Sequence, residues 1–265
     1  GVSDFIDIIE RNQYYVDKTM YIPKLEDEPD ALFFIRPRRF GKSLFISMLR
    51  AYYDIKRKDK FDKLFGNLWI GSHPTENQGK YQVLFLDFSK IGGSIDQLEE
   101  NFNAYCNECI DSFIETYQEY YPARVVENVL KAKTAARKLN AIGIAAEKKN
   151  LPLYLIVDEY DNFTNVVLNE QGEEVYTALT HASGFYREIF KVFKGMFSKI
   201  FMTGVSPVTL DDLTSGFNIG WHISTKPAFN QMLGFSTEDV RELFTYYKEN
   251  GEIRPDSDVE AIINE

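Results

Sequence analysis

Gly41-Lys42-Ser43 carries the residue types that a phosphate site needs. It lies between the apolar run Ala31 to Ile35 and the helical spacing of Leu44, Phe45, Met48, Leu49 and Tyr52. The triplet is the end of the pattern G-x-x-x-x-G-K-[ST], in which backbone N–H groups at a helix N-terminus face an anion. Gly41 lets the backbone approach closely, Lys42 brings positive charge to the outer phosphates, and Ser43 offers a hydroxyl to Mg²⁺. Pro37, Arg38, Arg39, Phe40, Gly41, Lys42, Ser43 and Leu44 are therefore expected to hold ATP. One position departs from the pattern: the leading glycine falls at 36, where the chain has Arg36. A left-handed backbone there costs a residue with a Cβ about 1–2 kcal/mol. The loop is expected to enter with other dihedrals, helped by the fixed φ of Pro37. Arg36, Arg38 and Arg39 would then surround the anion.

Leu153-Tyr154-Leu155-Ile156-Val157-Asp158-Glu159 is an apolar run that ends in two acids. In a parallel sheet, ligands bind outside the carboxyl ends of the strands. Asp158 is expected to face the Mg²⁺ held by Ser43, and Glu159 to orient and deprotonate an attacking water. Neighbours on a strand point to opposite faces, so the two acids serve one site only if the strand ends between them. Asp161 and Asn162 follow and are expected to support the pair. Lys199 to Pro207 reads as another strand, whose Thr203 would present its hydroxyl to the γ-phosphate. Arg241, on a helix from Val240 to Tyr247, is expected to reach the nucleotide from a lid.

These residues need a scaffold of strands and helices. Tyr14 to Thr19 reads as a short strand or turn, followed by a helix through Tyr21, Ile22 and Leu25. It is expected to cover the core as a flap, with a place near the nucleotide base as the alternative. Tyr81 to Phe88 is a second strand. Leu98, Phe102, Cys106, Cys109 and Phe113 form one helical stripe, which assigns both thiols to the core rather than to metal or redox chemistry. Val125 to Glu147 and Tyr176 to Phe197 each read as one helix, with His181 packed in the second. Ser236 is placed as a helix cap, completed by Asp239. Four apolar strands separated by helices give an α/β layer architecture with a mainly parallel sheet. The expected division is a core over 1–235 and the start of a helical lid over 236–265. The helical pattern Val259 to Ile263 continues to the end, as expected of a piece of a longer protein.

The 265 residues carry a formal net charge of −10. Nucleic-acid binding wants a basic footprint, so this chain alone does not support it. Two cysteines imply no disulfide framework and point to a reducing, cytoplasmic setting. No apolar run approaches the roughly 20 residues of a membrane span. His73, His181 and His222 lie apart from acids and cysteines, so no metal cluster or Ser-His-Asp arrangement emerges.

Several of these stretches together resemble the AAA-ATPase-like domain family, abundant in gut bacteria. They are Tyr15-Val16-Asp17-Lys18-Thr19, Arg36-Pro37-Arg38-Arg39-Phe40-Gly41-Lys42-Ser43-Leu44, Val157-Asp158-Glu159-Tyr160-Asp161 and Thr203-Gly204-Val205-Ser206-Pro207. Ser215-Gly216-Phe217-Asn218 and Leu233-Gly234-Phe235 add to the resemblance. It implies a P-loop three-layer sandwich with strand order near 5-1-4-3-2. It also implies a C-terminal nuclease-like domain as a frequent partner. Arg36 fits this family while departing from the general P-loop.

The reading expected from all of this is Mg²⁺-dependent ATP binding and hydrolysis that moves an attached or partner domain. A nucleotide-gated switch with little turnover needs the same phosphate site and stands beside it. A small-molecule kinase is a third reading and would need an acceptor pocket. Oligomeric state and the choice of adenine over guanine stay open.

Overall fold

Apolar side chains alternate along each central strand and so supply two cores rather than one. Leu153, Leu155 and Val157 join one buried cluster, while Tyr154 and Ile156 join another on the opposite face. The same division separates Phe33 from Leu32 and Phe34, and Ile200 and Met202 from Phe201. A sheet with two apolar faces must be covered on both, and here helices cover both. The structure, a computed structural model, describes residues 4–37, 41–180, 184–206, 221–254 and 257–263.

The strands are β1 (Ala31–Ile35), β2 (Gln82–Asp87), β3 (Leu153–Asp158), β4 (Lys199–Gly204) and β5 (Trp221–His222). All their pairings are parallel. Read from the β5 edge, the order is 5-1-4-3-2. On one face lie α1 (Phe5–Glu10), α2 (Tyr21–Glu26), α3 (Lys42–Tyr53), α4 (Phe61–Phe65) and α5 (Trp69–Ser72). The other face carries α6 (Leu98–Thr116), α7 (Ala123–Lys131), α8 (Ala135–Lys148), α9 (Asn162–Gln171), α10 (Glu173–Thr180) and α11 (Phe185–Met196). After the sheet come α12 (Thr237–Glu249) and α13 (Val259–Ile263). Ser236 and Asp239 form the expected reciprocal cap at the start of α12. The result is a three-layer α/β sandwich of the P-loop type.

Three expectations about elements need correction. The helix read over 125–147 is two helices. Thr134 begins α8 by accepting from the Arg137 N–H, and buried Lys138 donates to Val129 O and Leu130 O at 2.8 and 3.2 Å. Those carbonyls belong to the last turn of α7, where helical partners run out, so the ammonium ends α7 there. The helix read over 176–197 is also divided. Gly184 is extended, with φ −72° and ψ 138°, immediately before α11; His181 lies outside the described residues. Finally, β5 is two residues long and carries no apolar run, so the apolar runs alone gave four strands; the five-strand order implied by the family resemblance is the one that pairs among the described residues.

Cys106 is buried and Cys109 half-buried on α6. Burial pushes both thiols up, which leaves them unreactive, in keeping with a place in the core. Among the described residues, no helix is long and apolar enough to cross a membrane.

Candidate functional site

The order 5-1-4-3-2 brings the carboxyl ends of β1, β4 and β3 side by side. Gly41 precedes α3 in a left-handed backbone at φ 78°, a conformation that glycine adopts freely. The first N–H groups of α3 have no carbonyl within the helix to serve. Arg36 is absent from the residues with positive φ, so the chain enters this loop without the left-handed residue that the usual leading glycine permits.

Lys42 is 5% exposed and donates to Arg36 O at 3.0 Å. The ammonium thus bridges the start of α3 to the end of β1. Ser43 donates to Asp158 Oδ2 at 3.3 Å, across 115 positions of sequence. Thr203, from β4 between the other two strands, donates to Asp158 Oδ1 at 2.5 Å. Both carboxylate oxygens of buried Asp158 are therefore held by hydroxyls. The Thr203 hydroxyl, expected to face a phosphate, is directed to this carboxylate.

Glu159 follows the last residue of β3 and has φ 51°. The strand does end between the two acids, as a shared site requires. Asp161 is 1% exposed and accepts from Val205 N at 3.1 Å and Ser206 N at 2.6 Å, tying the end of β3 to the end of β4.

The hydroxyl of Ser43 and the carboxylate of Asp158 are hard oxygen donors suited to Mg²⁺. Their 3.3 Å separation is about 0.4 Å longer than the edge of an octahedron with metal–oxygen distances of about 2.0–2.1 Å, so a small shift or a bridging water brings both to one ion. The residues present fit the ion. Among the described residues, no group of three or more His, Cys, Asp or Glu side chains gathers as a metal cluster.

Beside the phosphate loop opens a cavity of about 290 Å³. Tyr14, Tyr15, Val16 and Lys18 form one wall, Gly41, Leu44 and Phe45 a second, and Met232 to Phe235 with Leu243 and Tyr247 a third. The segment expected as a flap over the core does bury Tyr15 there, yet it also walls this cavity. Asp17 fixes it by accepting from Thr19 N, Thr19 Oγ1 and Trp69 N. Lys18 ties it to the third wall through Gln231 O at 2.9 Å and Asp239 at 3.1 Å. Burial raises the Asp239 carboxyl, but hydrogen bonds from Ser236 and Lys18 outweigh it and hold the group below its ordinary value. No spacing rule links residues 18 and 239; only the fold does.

Two expected arginines stand elsewhere. Arg36 packs its guanidinium over the Phe34 ring, 4.7 Å from its centre, and donates to Ile35 O. Arg241 forms a two-pronged pair with Glu260 at 2.8 and 3.2 Å and also meets Glu238. Leu243 and Tyr247, one turn apart, face the cavity; Arg241 lies two positions earlier, on another face of α12. Arg38, Arg39 and Phe40 lie outside the described residues, as do 207–220 with Ser215 to Asn218.

A family model described as "Predicted AAA-ATPase" matches residues 1–214, a span that includes Gly41 to Ser43, Asp158, Glu159 and Thr203. The protein described as "Uncharacterized protein in vnfD 5'region" of Azotobacter chroococcum mcd 1 is 25% identical over 262 residues. The match covers 92% of this chain and 44% of that protein, so the chain spans less than half the length of the relative.

Proposed function

The chain belongs to the AAA-ATPase-like family, and on that footing we propose that it binds Mg·ATP at the ends of β1, β4 and β3 and hydrolyses the β–γ bond. The observation that carries this is the 3.3 Å contact between Ser43 and Asp158. Two motifs 115 residues apart meet as a phosphate loop and a metal-binding acid must.

Lys42 would exchange Arg36 O for phosphate oxygens, a small movement of a side chain already at the end of β1. Gly41 and the first turn of α3 would offer N–H groups to the same phosphates. Ser43 and Asp158 would hold Mg²⁺, which supplies neutralising charge to the β and γ oxygens when bound. Thr203 aims Asp158 by donating to the oxygen that Ser43 leaves free. Glu159, beyond the strand end, would take the proton of the attacking water on its carboxylate. The cavity beside Leu44 is apolar and aromatic, suited to a base and ribose, with Lys18 fastening its far wall. The energy released would move an attached or partner domain, of which a nuclease-like C-terminal domain is one form.

A nucleotide-gated switch is favoured by one observation: Arg36 is engaged on Phe34 and Arg241 on Glu260. Turnover then waits for an arginine from Arg38, Arg39 or a partner. The binding claim common to both readings is tested by titrating Mg·ATP into the parent and Lys42→Ala. A charge-assisted contact is worth about 1.5–3 kcal/mol, so affinity should fall roughly 10–100-fold with the fold intact. Equal affinity in a folded variant removes the phosphate-loop assignment.

A further inference from the structure

Glu159 has a backbone conformation that its side chain disfavours. The other described non-glycine residues with positive φ are Asn12 and Asn150, and asparagine is enriched several-fold in that region. Glutamate has no such tolerance, so the surroundings must impose φ 51°.

What imposes it is the joint between the end of β3 and the end of β4. Tyr160 N donates to Thr203 O at 3.0 Å, and Tyr160 Oη donates to Ser206 O at 2.9 Å. Tyr186 Oη donates to Tyr160 O. At the centre is Asp161. Its carboxylate accepts from Val205 N, Ser206 N and Asn165 Nδ2, so the side chain reaches from the turn after β3 to consecutive backbone amides of the β4 exit. Gly204 makes the approach feasible: a Cβ there would lie 2.3 Å from the Tyr160 ring and 2.9 Å from Asp161 Oδ1. Any side chain at 204 would push the turn away from β4.

We propose that Asp161 is a positioning residue that locks the turn after β3 onto β4 and thereby holds Glu159 in its left-handed backbone, outside the strand's alternation. The use of that placement, to aim the water-activating carboxylate, rests on the ATPase reading above; the lock itself does not. Two backbone amides and one side-chain amide converge on a single buried carboxylate, which is more fastening than a strand exit needs. The residue that the fastening strains is the one assigned to the water.

The test uses Asp161→Asn, which keeps the volume but removes the charge from the oxygen that all three amides share and turns an NH₂ group toward the Val205 N–H, 3.3 Å from Oδ1. Glu159→Gly is introduced into the parent and into Asp161→Asn, and thermal unfolding is followed in all four proteins. In the parent, relief of the left-handed backbone should raise the melting temperature by about 1–3 °C. In Asp161→Asn the turn is already free to relax, so the rise should vanish. An equal rise in both backgrounds overturns the proposal. Should Asp161→Asn not purify as a folded protein, Asp161→Glu, which keeps the charge but misplaces it, carries the same comparison.

A second arm reads single-turnover ATP hydrolysis and ATP affinity. Asp161→Asn should slow the chemical step on the order of tenfold to a hundredfold, as a small misplacement of a reacting group does. Affinity should stay within about twofold of the parent. In a Glu159→Gln background the same substitution should add no further loss. Equal losses in both backgrounds would show that Asp161 acts independently of Glu159 and overturn the role. If the parent hydrolyses nothing while the unfolding experiment shows the coupling, the ATPase reading fails and the lock stands.

Discussion

Replacing Asp158 by asparagine separates structural support from metal binding at one atom group. Asp158 is 6% exposed, and its two oxygens accept the hydroxyls of Thr203 at 2.5 Å and Ser43 at 3.3 Å. Asparagine keeps one acceptor for Thr203 and turns its NH₂ group toward the Ser43 oxygen, so both hydroxyls retain a partner. What changes is charge. A hydrogen bond to an ionised acceptor is worth about 1.5–3 kcal/mol and one to a neutral acceptor about 0.5–1.5. The short Thr203 contact should therefore lose about 1–2 kcal/mol. For a chain of this size, each kcal/mol moves the melting temperature by about 2–4 °C, so Asp158→Asn should melt roughly 2–8 °C lower and still fold. The effect on the cation should be larger. Mg²⁺ binds through negatively charged oxygen, and the Mg²⁺-dependent gain in ATP affinity should shrink by about 10–100-fold. The assay is calorimetric titration of ATP with Mg²⁺ and again with a chelator. In the parent the two affinities should differ widely, and in Asp158→Asn they should converge. A folded variant whose affinity depends on Mg²⁺ as strongly as the parent's would refute the shared-metal reasoning.

Other consequences follow from the cavity and its fastening. Lys18→Met removes both ties to the third wall; ATP affinity should fall about threefold to tenfold. Inorganic tripolyphosphate, which has no base, should bind as before, and parallel losses for both ligands would contradict a base in this cavity. Asp239→Asn should cost about 0.5–1 kcal/mol near neutral pH. Because the Asp239 carboxyl is held below its ordinary value of 3.8, its contribution is present above that value and is lost as pH falls through its lower folded-state value. Chemical unfolding of parent and variant should therefore differ by a constant amount from about pH 5 to 8 and converge in stronger acid.

The start of α3 at Lys42 and the acidic end of β3 were legible because each is written in consecutive residues. Gly41-Lys42-Ser43 and Asp158-Glu159 were each readable from adjacent residue types, and alternation in Leu153 to Val157 fixes which side chains face which helical layer. What joins distant positions was not legible. Lys18 meets Asp239 and Asp161 meets Ser206 through the fold, without any repeat or spacing. Lys138 ends α7 from inside α8, which interrupts an apolar pattern that would otherwise run on as one helix. Arg241 was expected to reach the nucleotide from a lid helix, whereas in the structure it pairs with Glu260, a partner no spacing announces. Thr203 stands on the expected strand, and its bond to Asp158 across 45 positions was not legible, because a hydroxyl at a strand end serves whichever acceptor the fold brings near. The left-handed backbone of Glu159 carries no local signature, since glutamate is not a residue that announces one.

The account rests most directly on phosphate release from Mg·ATP by the parent and by Glu159→Gln, each first shown to bind ATP. Glutamine keeps the size and hydrogen-bonding reach of Glu159 but cannot take the proton. General-base contributions are typically about 10²–10⁴-fold, so the variant should bind ATP like the parent and release phosphate at least about a hundredfold more slowly. Equal rates in the two proteins would contradict the assignment of the base, and a parent that binds ATP without releasing phosphate would replace the enzyme with the switch.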